Sequence, residues 1–93
     1  MQTKFDFFSD SSHGWLKVPM KLLKELEIEK KISQFSYWRK GSAYLEEDRD
    51  LLLFIHTMKE KKQFTFGEGN IRSFHTDRSS KIRGYDYYRR EIA

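Results

Sequence analysis

Between Phe35 and Glu46 the chain alternates in a way that leaves little choice of backbone. Phe35, Tyr37 and Arg39 interleave with Ser36 and Trp38, and Ala43 and Leu45 interleave with Tyr44 and Glu46. Period-two alternation marks a strand, because successive strand side chains point to opposite faces. Lys40-Gly41-Ser42 separates the two runs, and Gly41 is free to take the positive φ of a tight reversal. The segment is predicted to be a β-hairpin with its turn at Lys40-Gly41-Ser42.

The pattern then changes period. Leu51, Phe54, Ile55 and Met58 recur at the spacing of a helix face. Asp48 and Asp50 stand at the expected N-terminal end, with Lys59, Lys61 and Lys62 at the C-terminal end, so both ends complement the helix dipole. Upstream, His13 to Val18 alternates like a strand, and Pro19 opens a segment from Met20 to Leu26 with Leu22, Leu23 and Leu26 on one face. Proline suits a first helical turn because its missing N–H has no intrahelical partner there. A turn is expected from Glu27 to Ile32, with Ile28 and Ile32 pointing inward. Gln63 to Phe66 reads as a strand, Gly67 to Asn70 as a turn, and Ile71 to His75 as the returning partner. Phe5, Phe7 and Phe8 suggest an N-terminal edge strand.

The expected fold is α+β: a small antiparallel sheet of about four to five strands, packed on one face by two helices. Ninety-three residues make one domain, 1–93, with an edge strand and loop over 1–12 and a basic, tyrosine-rich tail over 76–93. Eight Phe, five Tyr and two Trp supply bulky core material in an otherwise polar chain. With no cysteine, disulfides, zinc–thiolate sites and cysteine nucleophiles are excluded. The apolar run Leu51 to Ile55 is far too short to span a bilayer, and the N-terminus carries no apolar signal segment, so a cytoplasmic protein is expected.

Charge is unevenly placed. Residues 1–56 hold nine Lys/Arg and nine Asp/Glu, whereas residues 57–93 hold nine against five, so the whole excess of +4 lies in the last third. That asymmetry favours a polyanion or an acidic protein surface as partner.

Catalytic chemistry finds little to stand on. Glu46, Glu47, Asp48 and Asp50 do not follow the spacing of a calcium loop, and a strand end running into a helix start accounts for them. His13, His56 and His75 stand in no metal-binding spacing, and no serine occupies a nucleophile elbow. His56 falls between core positions of its helix and reads as a boundary residue. No catalytic residue, metal or cofactor is expected. Two aromatic-basic sets remain as candidate partner-binding residues: Tyr37, Trp38, Arg39, Lys40 and Tyr44 in the hairpin, and Arg78, Lys81, Arg83, Tyr85, Tyr88, Arg89 and Arg90, with Tyr87 among them, in the tail. Such residues stack on unpaired bases and hold phosphates, and they also dominate protein–protein hot spots. About half of the aromatics are expected to be core, since each strand has two faces.

The blocks HGWLKVP, ISQFSY, AYLEED and IRGYDYY, in that order, resemble a family of small proteins of bacteria, phages and plasmids. The resemblance covers residues 13 to 90. Where the family's acidic block continues with a cysteine and a small residue, this chain has Arg49 and Leu51, so no role of that cysteine carries over. The resemblance implies a compact cytoplasmic protein of mobile-element type and brings no catalytic residue. The expectation is a non-enzymatic protein that binds a host protein or nucleoprotein stoichiometrically, an anti-CRISPR inhibitor being the most concrete version, with no membrane involvement. A nucleic-acid-binding accessory module is the alternative, and a metal-dependent hydrolase centred on the acidic cluster the least favoured.

Overall fold

The structure, a computed structural model, describes residues 2–89. Its elements are β1 (Phe5–Ser9), β2 (Gly14–Pro19), α1 (Met20–Glu25), β3 (Tyr37–Arg39), β4 (Ser42–Glu46), α2 (Asp50–Lys62), β5 (Ile71–His75) and β6 (Asp86–Tyr87). The strands form one six-stranded sheet in the order β5-β1-β2-β4-β3-β6. The class is α+β with two helices, as the periodicities indicate, and the sheet has one or two strands more than expected.

The hairpin forms around the expected turn but is shorter than the alternation suggests: β3 begins at Tyr37, and Phe35 and Ser36 lie in the turn before it. Arg39 faces Ser42, leaving Lys40 and Gly41 as a two-residue loop with φ of 47° and 81°. Two positive φ values are the type I′ arrangement, whose twist matches that of the flanking strands. Pro19 ends β2 and caps α1 from outside the helix rather than occupying its first turn. Glu27 stops that helix in the left-handed region, at φ 62°. The N–H of Ile28 reaches the carbonyl of Leu23, and that of Glu27 reaches Lys24, which together make a Schellman motif.

The alternation of β2 and β4 sorts the side chains onto two faces. Leu16, Val18, Ala43 and Leu45 join Met20, Leu22 and Leu23 of α1 and Phe54 and Met58 of α2 in one aliphatic core, with Phe5, Leu26, Ile28, Ile32 and Tyr88. Trp15 and Tyr44 face the other way and gather Ile82, Phe8, Tyr37 and Tyr85 into a second, aromatic cluster.

Four expectations are corrected. Gln63 to Phe66 is not a strand: Gln63 ends α2 in the left-handed region at φ 52°, and Phe64 and Phe66 pack on the core from a loop. Strand-like alternation arises because every second residue of that loop happens to face inward. Ile71 to His75 does form a strand, but it pairs parallel with β1, so the sheet is mixed rather than antiparallel. In consequence β1 lies inside the sheet between β5 and β2, and β5 takes the edge. Finally, α2 is rotated from the expected face. Asp50, Phe54, Thr57 and Met58 are buried, Leu51 and Ile55 only half-buried, and His56 is exposed and paired with Glu60. No described helix is long and apolar enough to cross a membrane.

Candidate binding site

Asp50 organises the region that the acidic cluster marks. It is the first residue of α2, yet only 1% exposed. Its carboxylate accepts from the Ser33 hydroxyl at 2.7 Å, the Ser33 N–H at 3.1 Å and the Ser36 hydroxyl at 2.5 Å. Ser36 in turn accepts from the Glu46 N–H at 2.9 Å, tying the loop to β4. The helix dipole is met by Glu46 instead, whose carboxylate accepts from the N–H groups of Asp48, Arg49 and Asp50. Asp48 is exposed and contributes only its backbone N–H. The expected helix start is therefore there, with the work divided differently: Glu46 caps, and Asp50 fastens a loop.

That loop holds Phe35 outward. Phe35 is 68% exposed although it is an aromatic hydrocarbon, and its N–H is bonded to the Ser33 hydroxyl. Beside it stand Tyr37 and Tyr87, their rings stacked with centroids 5.5 Å apart, Tyr87 being 63% exposed. Gln34, Phe35, Tyr37 and Tyr87 line a cleft of about 440 Å³. Phe35 and Tyr37 also line a neighbouring cleft of about 390 Å³, with His13, Gly14, Trp15, Glu46, Glu47, Asp48, Arg49 and Arg83. The two clefts have Phe35 and Tyr37 in common and so adjoin, forming a groove interrupted by these two rings. A Cβ at Gly14 would lie 2.2 Å from Cζ of Phe7, a ring that packs on the aliphatic core, and 3.1 Å from Glu47 Oε2, so a larger residue there would have to move the Phe7 ring.

The other border of the groove is the segment that follows β5. It crosses the aromatic face, seats Ile82 against Trp15 and Tyr44, and returns as β6 beside β3. Asp10 holds it. The Asp10 carboxylate accepts two N–H groups of Arg83, at 2.7 and 3.0 Å, the Ser80 N–H at 3.0 Å, and the N–H groups of Ser12 and His13. The Arg83 guanidinium, then the Ser80 N–H, hold this carboxyl well below the usual carboxylate range. Arg83 also lies 5.2 Å from the Trp15 ring centroid, covering an indole that sequence alone placed simply in a strand.

The structure sorts the candidate residues. Tyr37 lies on the groove wall, Arg39 is exposed over the Tyr85 ring at 5.0 Å, and Lys40 is exposed in the turn. Arg78, Lys81 and Arg89 are exposed on the C-terminal segment, and Tyr85 is half-buried. Three aromatics belong to the interior instead. Tyr44 is buried edge-on against Tyr85. Trp38 points to the opposite face from Tyr37 and packs on the aliphatic core, with its indole N–H buried and unbonded. Tyr88 is 1% exposed, donates its hydroxyl to the Glu29 carbonyl, and has that hydroxyl pushed up to about 12 by burial. Arg83 is committed to Asp10. Arg90 lies outside the described residues. The groove keeps Tyr87 and adds Phe35 and Trp15, neither of them among the sequence candidates. Trp15 and Arg83 meet only through the fold, and nothing near Phe35 in the sequence shows that its two flanking serines are bound by Asp50.

Among the described residues no group of three or more His, Asp or Glu side chains converges as a metal site would. Comparison with protein-family models, with curated proteins and with solved structures gives no match.

Proposed function

We propose that this protein works by stoichiometric, non-catalytic binding of a partner protein, with the groove at Phe35, Tyr37 and Tyr87 as its contact surface. The observation that carries this reading is the outward Phe35 on a loop fastened from inside by Asp50. An exposed aromatic held in place before contact loses little conformational entropy on binding, which is what an interface anchor requires. Tyr, Trp, Phe and Arg, the residue types around this groove, are enriched at protein interfaces. The resemblance to small phage and plasmid proteins makes a component of bacterial defence the first partner to seek.

The test is a pull-down from bacterial lysate, with and without nuclease, using the wild-type chain and Phe35→Ser. Support is a protein retained through nuclease treatment by the wild type and lost by the variant. Retention by both equally would move the contact surface elsewhere.

A second reading, nucleic-acid binding, is favoured by a different observation: Arg39, Lys40, Arg78 and Lys81 are all exposed. It predicts loss of every captured species on nuclease treatment, and a binding constant that falls steeply with salt.

A further inference from the structure

The charges around the groove say what kind of segment it takes. Arg83 faces it, but two N–H···O bonds to Asp10 match its charge. Glu46, Glu47 and Asp48 also line it, opposed among the remaining cations by Arg49 alone. Glu46 is occupied by three N–H groups at the start of α2, whereas the side chains of Glu47 and Asp48 make no hydrogen bond or ion pair with a described residue. Two carboxylates without a partner among the described residues thus line the same cleft as Phe35 and Tyr37.

We propose that the groove holds a partner-protein segment with an arginine or lysine next to an apolar residue. This rests on the binding reading above and adds the chemistry of the occupant. The apolar residue lies against Phe35 and Tyr87, and the cation crosses the Tyr37 ring to reach Glu47 and Asp48. A ring face and a carboxylate both attract a cation, and a long basic side chain satisfies them together because its stem is apolar. A phosphate chain in the same place would meet both carboxylates, so like-charge repulsion turns nucleic acid away from this groove, whatever the exposed cations elsewhere attract.

The experiment is selection of a random-peptide library on the immobilised intact chain, with Phe35→Ser protein as the counter-selection. A recovered peptide is then synthesised and its affinity measured by fluorescence anisotropy. The expected peptides carry Arg or Lys at one fixed position beside an apolar residue. The double variant Glu47→Gln, Asp48→Asn should weaken them about tenfold, and Arg49→Ala, which removes the opposing cation, should tighten them about threefold. A merely structural role for these surface residues would not move the two variants in opposite directions. Peptides that depend on Phe35 but lack a basic residue would overturn the charge inference while leaving the groove as the contact surface. Peptides that bind Phe35→Ser equally, or no enrichment over that variant, would overturn both. Phe35-dependent binding of a labelled oligothymidine in place of peptide would overturn the choice of protein over nucleic acid.

Discussion

The two faces of the sheet are built from different materials and held by different forces. The helix-covered face is mainly aliphatic and closed: Leu16, Val18, Ala43, Leu45 and Phe54 are wholly buried. The opposite face is aromatic and half open, covered by a single segment that one buried carboxylate, Asp10, and one isoleucine, Ile82, hold down. Hydrophobic burial is non-directional and proportional to area, so the closed face supplies most of the stability. The open face contributes less to folding and leaves rings available for contact. Division of labour between faces lets a chain this small have both a sealed core and exposed aromatic rings.

The sharpest way to break the comparison is to cut one large side chain from each face. Leu45→Ala or Phe54→Ala should cost about 3–5 kcal/mol in urea unfolding, because a cavity is left in a sealed core. Tyr87→Ala should stay within about 0.5 kcal/mol. Similar losses on both faces would show that the aromatic layer is as much a core as the other.

Between these extremes lies Asp50, which belongs to the closed side by burial and serves the open side through Phe35. Asp50→Ala strands the Ser33 N–H and two serine hydroxyls, and should cost about 2–3 kcal/mol. The added expectation is a loss of order confined to residues 33–36 in amide hydrogen exchange. Unchanged protection there would mean that Phe35 is held outward by something other than this network.

Acid should separate the faces next. The folded-state pKa of Asp10 lies below its ordinary value, so the unfolded chain binds more protons as pH falls. Its stabilising contribution is complete above the ordinary carboxylate range and is lost as pH drops through the depressed folded value. Urea unfolding from neutral pH down to about pH 3 should show the wild type losing more stability than Asp10→Asn. Parallel curves would mean that the ion pair with Arg83 does not fasten the segment. The smallest expected effect on stability is that of Phe35→Ser, within about 0.5 kcal/mol. Its effect on partner binding should be about 2 kcal/mol or more, measured by calorimetry against the captured protein.

Much of this was legible in the residues, because it is local. The hairpin follows from alternation and from Gly41, and β2, α1 and α2 from Pro19 and the two apolar periods. Backbone sterics and short-range hydrogen bonds decide such elements, and those depend on neighbours in the chain. The tertiary structure alone decided the rest. The strand Ile71–His75 was visible, but its parallel pairing joins it to β1, far away in the chain, on the side of β1 that β2 does not occupy. Phe64 and Phe66 read as strand because a loop laid on a core also buries every second side chain. Tyr44 and Tyr88 went inside, while Phe35, on a similarly alternating stretch, went outside. The reason is contact at long range: Ile82 and Tyr85 cover Tyr44, the α1–β3 loop receives Tyr88, and Asp50 turns the chain at Phe35 away from the core. Alternation tells which side chains share a face, but it does not tell which segment will arrive to cover that face.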